Sequence, residues 1–369
     1  MSESFRAVPP SGAAPVQAGR GARRRVLSPG RGGERPVKGG APLLEIRDLR
    51  TWFPVRRGLL NRVVGHVKAV DGVSLHVMEG ETLGLVGESG CGKTTLGRSI
   101  VGLERPRSGH ILFQGADMKT LSRAERKRAG RHLQMIFQDP VASLNPRLTV
   151  LDILTEGIQE HSLLQGARED EGARLLAEVG LPPEALYRYP FEFSGGQRQR
   201  ISLARAISLR PSLVVCDEPV SSLDVSVQAQ VINLLMDLRE KYRLSYLFIS
   251  HDLSVVRHLS DRIAVMYLGR IVEEGPAGAV MDRPLHPYTQ ALLAAVLVPG
   301  RPRGRALVLP GEPPSPLNPP SGCPFHARCP KAMAACQRDY PPTATTEGRQ
   351  VNCHLYPPRP PDSLLSPVS

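Results

Sequence analysis

The architecture of this chain follows from one stretch, Gly87-Glu88-Ser89-Gly90-Cys91-Gly92-Lys93-Thr94-Thr95. It fits the pattern G-x-x-x-x-G-K-[ST]. The apolar run Thr82–Val86 precedes it, and a helical pattern follows from Lys93 to about Leu103. A strand, a glycine loop and a helix in this order open a parallel α/β nucleotide-binding unit. Because the N–H groups of such a loop and its helix surround phosphate oxygens, the stretch predicts a nucleotide site.

Residue types within the loop predict individual roles. Lys93 is expected to reach the β- and γ-phosphates, and the Thr94 hydroxyl is expected to bind Mg²⁺. Cys91 lies inside the loop, so we expect alkylation of its thiol to block the phosphate space.

A second motif, Leu213-Val214-Val215-Cys216-Asp217-Glu218, follows about 120 residues later. A continuous apolar run is typical of a strand buried on both faces, and it places Asp217 at the edge where parallel sheets bind ligands. Asp217 is expected to hold Mg²⁺ through water, and Glu218 to polarise the attacking water.

The third motif is Phe193-Ser194-Gly195-Gly196-Gln197-Arg198-Gln199-Arg200. A Ser-Gly-Gly sequence at the start of a long amphipathic helix offers free N–H groups and a hydroxyl to an anion. By itself it is equally an N-cap with a flexible turn.

Length and composition limit the protein class. The 369 residues suggest about two domains with room for a third small module, and 41% hydrophobic with 22% charged residues is typical of a globular protein. No run approaches 18 consecutive apolar residues, so the sequence predicts no transmembrane helix, and the N-terminus has no apolar region of the kind found in a secretory signal.

Residues 1–42 carry eight Arg and Lys against two Glu, a net charge of +6 (8 − 2) that is half of the total of +12. We expect this tail to be disordered and solvated, with a contact to anionic lipid or nucleic acid as the alternative.

The C-terminal part has a different composition. Residues 284–369 hold 19 of the 35 prolines, which predicts a domain boundary near residue 284 and an end to the alternation of helix and strand. The spacing C-x5-C-x6-C-x16-C joins four cysteines, Cys323, Cys329, Cys336 and Cys353. Four thiolates suffice for zinc or an iron–sulfur cluster, and unligated or oxidised cysteines are the alternative. His326 and His354 are possible substitute ligands.

The motifs together resemble the ATP-binding subunits of ABC transporters over residues 43–285. Gln138 in Phe137-Gln138-Asp139-Pro140 resembles the Q-loop of that family, Ser221-Ser222-Leu223-Asp224 the D-loop, and His251 the switch histidine. Phe53, or its neighbour Trp52, falls where the family places an aromatic ring against adenine.

The resemblance implies a phosphate-loop, RecA-like α/β domain with a helical subdomain at about 139–210, and a small C-terminal domain at 286–369. It also implies two such domains paired head to tail. Lys93, Gln138, Glu218 and His251 would then serve one ATP, with Mg²⁺ held by Thr94, Gln138 and Asp217. The residues Ser194, Gly195, Gly196 and Gln197 would serve the partner's ATP.

More specific segments resemble the ATPases of oligopeptide and dipeptide importers, a group that includes nickel importers. They are Ala142–Arg147, Phe193–Arg200 and His286-Pro287-Tyr288-Thr289, together with the cysteine-bearing tail. This resemblance implies a [4Fe–4S] cluster on the four cysteines, with zinc as the alternative.

For the whole assembly, the resemblance implies a place on the cytoplasmic face of the membrane. The partners would be a homologous ATP-binding subunit, two permeases and, indirectly, a solute-binding protein, with no specific nucleic acid. Helices around Leu144–Ile158 would contact the permease. The alternatives are an ABC ATPase of nucleic-acid or ribosome-linked processes, or the ATPase of another transporter class.

Overall fold

The computed structural model describes residues 40–58, 61–295 and 311–358. The tail predicted to be disordered falls outside these residues up to position 39. The strands are β1 Leu44–Arg57, β2 Arg62–Val77, β3 Thr82–Val86, β4 Ser108–Phe113, β5 Ala116–Asp117, β6 Leu133–Ile136, β7 Leu213–Asp217, β8 Ser245–Ile249, β9 Arg262–Tyr267, β10 Arg270–Pro276, β11 Thr343–Thr346 and β12 Arg349–Asn352. The helices are α1 Lys93–Ile100, α2 Arg123–His132, α3 Pro140–Ser143, α4 Val150–Glu160, α5 Arg168–Glu178, α6 Gly195–Ile207, α7 Val225–Tyr242, α8 Leu253–Leu259, α9 Ala277–Asp282, α10 Pro287–Ala294 and α11 Ala334–Arg338.

The larger sheet has the strand order β11-β12-β10-β9-β3-β8-β7-β6. Neighbouring strands from β9 to β6 pair in parallel, and every residue of β3, β7 and β8 is buried. Burial on both faces explains why these strands are continuous apolar runs in the sequence. The predicted α/β class with a phosphate-loop sheet is therefore confirmed.

A smaller antiparallel sheet has the order β2-β1-β4-β5. Its inward side chains Leu44, Val77 and Phe113 share a core with Leu96 and Ile100 of α1. Strands β1 and β2 extend far along the chain, since β1 continues to Arg57 and β2 starts at Arg62.

Helices α3 to α6 lie between residues 140 and 207, within the stretch predicted as a helical subdomain. Two of these helices begin at hydrogen-bonded side-chain caps. Thr149 and Asp152 form a reciprocal capping box at α4, and Ser194 and Gln197 form another at α6. No helix of the described residues is long and apolar enough to cross a lipid bilayer.

The C-terminal segment is built onto the core. Strand β12 pairs antiparallel with β10, with Val351 opposite Glu273, and β11 pairs with β12. Phe325 is buried, and its ring lies 5.3 Å from Tyr267 and 5.5 Å from Tyr288. Helix and strand thus continue beyond residue 284, although the predicted domain limits at 43–285 and 286–369 stay a prediction.

Candidate active site

Loops from four adjacent parallel strands meet at one edge of the larger sheet. The phosphate loop follows β3, Gln138 comes two residues after β6, Glu218 follows β7, and His251 comes two residues after β8. They line a cavity of about 730 Å³. The crevice beyond the carboxyl ends of parallel strands is where α/β sheets bind ligands.

The phosphate loop is shaped by its own backbone. The ammonium of Lys93 is buried and donates to the carbonyl oxygens of Gly87 at 2.7 Å and Glu88 at 3.0 Å. Gly92 has φ 110°, and a Cβ there would lie 2.0 Å from the Ala69 carbonyl oxygen. Only glycine therefore fits at the start of α1, where free N–H groups face the cavity.

A hydroxyl and a carboxylate meet beside Lys93. Thr94 Oγ1 donates to Asp217 Oδ1 at 3.0 Å. Burial raises the pKa of Asp217, and the hydrogen bond from Thr94 lowers it in smaller part. Oxygen donors of these two kinds are the ligands that Mg²⁺ prefers beside phosphates, so the residues present fit the ion.

Glu218 is held by two side chains from neighbouring strands. Gln138 Nε2 donates to Glu218 Oε2 at 3.1 Å, and His251 Nδ1 lies 3.2 Å from the same oxygen. Its backbone has φ 45°, a left-handed conformation that is uncommon outside glycine. Such conformations concentrate at functional sites, where the surrounding structure fixes them.

The motif Ser194–Gln197 does not line this cavity. Ser194, Gly195 and Gln197 are exposed at the first turn of α6, and Ser194 Oγ accepts from the Gln197 N–H at 3.3 Å. Asp224 is the N-cap of α7, next to Ser221 and Ser222 of the cavity wall. The structure thus separates the two predicted anion sites within one chain.

Neither aromatic candidate lines the described cavity wall. Phe53 is 36% exposed on β1. Trp52 is half-buried, with Lys68 5.0 Å and Arg107 4.6 Å from its ring, and its indole N–H donates to Asp71. Stacking of adenine on Phe53 stays a prediction.

The predicted metal centre is not supported by the described residues. Within them, no group of three or more His, Cys, Asp and Glu side chains is placed to hold a metal ion. Cys323 and Cys336 are nevertheless neighbours, since the Cys323 N–H donates to the Cys336 carbonyl oxygen at 2.8 Å. Burial raises the pKa of Cys323 to about 11.

Contacts between distant segments were missed by sequence reasoning. Tyr288, noted only as part of a family motif, accepts a hydrogen bond from the Glu88 N–H at 2.9 Å. Arg328 contacts the Glu88 carboxylate at 2.9 and 3.2 Å. No local sequence pattern connects Glu88 with Tyr288, which is 200 positions away, or with Arg328, which is 240 positions away.

Two family models match the chain. "ABC transporter" matches residues 70–221, and "Oligopeptide/dipeptide transporter, C-terminal region" matches residues 272–336. The chain is 53% identical to the oligopeptide transport ATP-binding protein AppF of Bacillus subtilis, covering 85% of this chain and 97% of that protein. It is 48% identical to the di/tripeptide transport ATP-binding protein DppF of Pseudomonas aeruginosa, covering 85% and 97% respectively.

Solved structures agree on the fold. A post-hydrolysis ATP-binding cassette bound to ADP and Pi, described as dimeric, superposes with a TM-score of 0.56 at 24% identity, covering 63% of this chain and 98% of that chain. CbiO1 from Clostridium perfringens, part of an ABC transporter complex, gives a TM-score of 0.54 at 22% identity, covering 66% and 91%. With relatives this similar over nearly their whole length, the chain belongs to the ATP-binding subunits of ABC transporters, in the oligopeptide/dipeptide transporter family.

Proposed function

We propose that this chain is the ATP-hydrolysing, energy-coupling subunit of an importer for oligopeptides or dipeptides. The observation that carries the proposal is the meeting of the phosphate loop, Glu218, Gln138 and His251 around one cavity, with Asp217 hydrogen-bonded to Thr94 of the cavity wall. The cargo is inferred from relatives named as oligopeptide and di/tripeptide transport proteins. Their names favour transport over nucleic-acid or ribosome-linked work.

Different residues would bind the phosphates, hold Mg²⁺ and accept the proton of the attacking water. The N–H groups of the loop and the Lys93 ammonium bind and orient the phosphates, as in other phosphate-loop enzymes. Thr94 and Asp217, with Gln138 nearby, would hold Mg²⁺, which neutralises charge on the phosphate oxygens. Glu218 accepts a proton from the attacking water, and Gln138 and His251 orient its carboxylate.

The second predicted anion site, Ser194–Gln197, would bind nucleotide when two ATP-binding subunits pair. Ser194, Gly195 and Gln197 are exposed and away from the chain's own cavity, so they are free to meet the phosphates of a partner's nucleotide. Asp224, beside the cavity wall, would face the same partner. The partner is a second copy or a homologous subunit.

Two permease subunits would complete the importer, with a solute-binding protein acting indirectly. In this assembly the chain lies on the cytoplasmic face of the membrane. The helices around Leu144–Ile158 are the proposed contact with the permease, because Gln138 lies two residues before α3, at the start of the helical segment, and donates to Glu218.

We also propose a metal centre, a [4Fe–4S] cluster or zinc, on Cys323, Cys329, Cys336 and Cys353. Three of these cysteines are buried and Cys329 is partly buried. Burial raises the thiol pKa values of Cys323, Cys329 and Cys353, and hydrogen bonds from the backbone N–H groups of Phe325, Lys331 and Leu355 offset part of this increase. N–H donors of this kind stabilise thiolate ligands.

The metal proposal is tested by iron, sulfide and zinc analysis after anaerobic purification. Iron and sulfide in equal amounts support a cluster, and one equivalent of zinc supports a zinc site. Metal-free protein with full ATPase activity would overturn both.

The importer function is tested by reconstitution into lipid vesicles with the permeases, the second ATPase and the binding protein. We expect ATP-dependent uptake of a labelled oligopeptide, lost in Lys93→Ala. ATP hydrolysis without uptake of any peptide of two to ten residues would overturn the cargo and leave the ATPase assignment standing.

A further inference from the structure

A buried arginine connects the cysteine-bearing segment to the phosphate loop. Arg328 ends the 3₁₀ turn His326–Arg328 and is 7% exposed. Its Nη1 lies 2.9 Å from Glu88 Oε2 and its Nη2 lies 3.2 Å from Glu88 Oε1. A guanidinium that meets both carboxylate oxygens fixes the direction of the acid as well as its charge.

The backbone of Glu88 is held at the same point. Its N–H donates to the Tyr288 hydroxyl at 2.9 Å, and its carbonyl oxygen accepts from the Lys93 ammonium at 3.0 Å and the Cys91 N–H at 3.2 Å. Glu88 thus lies between Arg328 and the lysine that is proposed to bind phosphate.

The carboxylate of Glu88 is kept out of the nucleotide cavity. Ser89 and Gly90 line the described cavity wall, whereas Glu88 does not. A carboxylate freed from its partner beside the phosphate loop would repel the negative charges of a nucleotide. Pairing with Arg328 removes this repulsion and keeps the side chain in place.

The same segment contacts a second wall of the cavity. The Lys68 N–H donates to the Pro316 carbonyl oxygen at 3.0 Å, and the next residue, Ala69, lines the cavity. The C-terminal segment therefore contacts the nucleotide site at two points, through Arg328 at the phosphate loop and through Pro316 beside Ala69.

We propose that Arg328 is a positioning residue of the nucleotide site, which neutralises Glu88 and holds it away from the phosphates. Through this pair the C-terminal segment sets the affinity for ATP. The inference rests on the proposed function, since it requires that the phosphate loop binds ATP.

The test is the dissociation constant of Mg²⁺-ATP, measured by calorimetry on the full chain. Arg328→Met should raise this dissociation constant by about 5- to 50-fold, which lies within the range typical of coupling between two sites. The increase should shrink in high salt, because salt screens the exposed part of the repulsion. Arg338→Met, in the same segment but exposed, is the matched control and should bind as the wild type does.

A double variant separates charge from packing. Arg328→Met with Glu88→Gln has no unpaired carboxylate, so its affinity should return to within about twofold of the wild type. A purely structural role for Arg328 predicts no such rescue. If Arg328→Met does not fold, Glu88→Gln alone decides, because it leaves the positive charge of Arg328 uncompensated near the phosphates and should tighten ATP binding.

Two outcomes contradict the inference. One is wild-type affinity in folded Arg328→Met, and the other is weaker binding in Glu88→Gln than in the wild type. Failure of the wild type itself to bind ATP more tightly than Lys93→Ala would instead overturn the proposed function.

Discussion

His251 Nδ1 lies 3.2 Å from Glu218 Oε2. The side chain of Glu218 is 12% exposed, whereas that of His251 is 54% exposed, so the acid is fixed and the imidazole is open to solvent. Gln138 donates to the same oxygen from the other side. This arrangement leaves the second carboxylate oxygen of Glu218 for a water molecule.

Replacing His251 by Ala should lower ATP turnover by about 10²-fold while ATP still binds, because the base loses one of the two groups that orient it. Steady-state ATPase assays and ATP-binding calorimetry measure the two effects. His258→Ala, an exposed histidine on α8, is the control and should keep full turnover. Loss of ATP affinity equal to the loss of turnover would argue for a binding role instead.

An exposed apolar patch marks the expected permease contact. Tyr187 and Phe191 are 64% and 67% exposed, and the rings of Tyr189 and Phe191 stack at 5.7 Å. Exposed apolar patches of this kind are typical of protein interfaces. Within the predicted contact Leu144–Ile158, by contrast, most apolar side chains are buried in the core.

Phe191→Glu should therefore abolish peptide uptake in the reconstituted importer and leave the basal ATPase activity of the free subunit intact. Leu103→Glu, at an equally exposed apolar position outside this patch, should keep uptake. Normal uptake by Phe191→Glu would exclude the patch as the permease contact.

The sequence was sufficient to predict which loops border the cavity, because each motif is contiguous and lies at the end of a buried strand. The glycine loop after β3 and the run Leu213–Asp217 carry their own local signals, and the structure brings Gly90 and Gly92 of the loop and Glu218, directly after that run, to one cavity.

Long-range contacts had no such signal. The pair of Arg328 with Glu88 depends on packing of Phe325 against Tyr267, which no spacing in the sequence encodes. The proline count predicted an end to the alternation of helix and strand near residue 284, but β11 and β12 lie between the prolines and extend the sheet.

A buried histidine should make stability depend on pH. His286 is 1% exposed, its Nδ1 accepts from the Tyr288 N–H at 3.0 Å, and burial lowers its pKa from 6.5 to about 3. Between about pH 3 and pH 6.5, His286 is therefore protonated in the unfolded chain and neutral in the folded chain. The contribution of His286 is present above pH 6.5 and is lost as the pH falls toward 3, at about 1.4 kcal/mol per pH unit.

The measurement is the free energy of urea unfolding at pH 7.5 and 5.5. His286→Asn should lose less stability on acidification than the wild type does. The control His258→Asn, at an exposed position, should lose as much stability as the wild type. Glu273, whose carboxylate accepts from the backbone N–H groups of Leu285 and His286, is present in both variants, so the difference isolates the His286 side chain. Equal losses in His286→Asn and the wild type would show that this histidine does not couple folding to pH.

Cys91 should react slowly with thiol reagents, contrary to what its place in the loop predicts. The side chain is buried, and burial raises its pKa although Lys93 acts in the opposite direction. Since the thiolate is the reactive form, N-ethylmaleimide at pH 7 should leave Cys91 unmodified in folded protein and modify it fully in urea, as read by mass spectrometry. Rapid stoichiometric labelling of Cys91 in folded protein would contradict this account.

The central claim, that Glu218 drives ATP hydrolysis at this cavity, is tested most directly by the ATPase rate of Glu218→Gln. The carboxamide keeps the shape of the side chain but accepts no proton, so turnover should fall by about 10²–10⁴-fold while Mg²⁺-ATP remains bound and holds the two ATP-binding subunits together. Hydrolysis by Glu218→Gln at the wild-type rate would contradict the account.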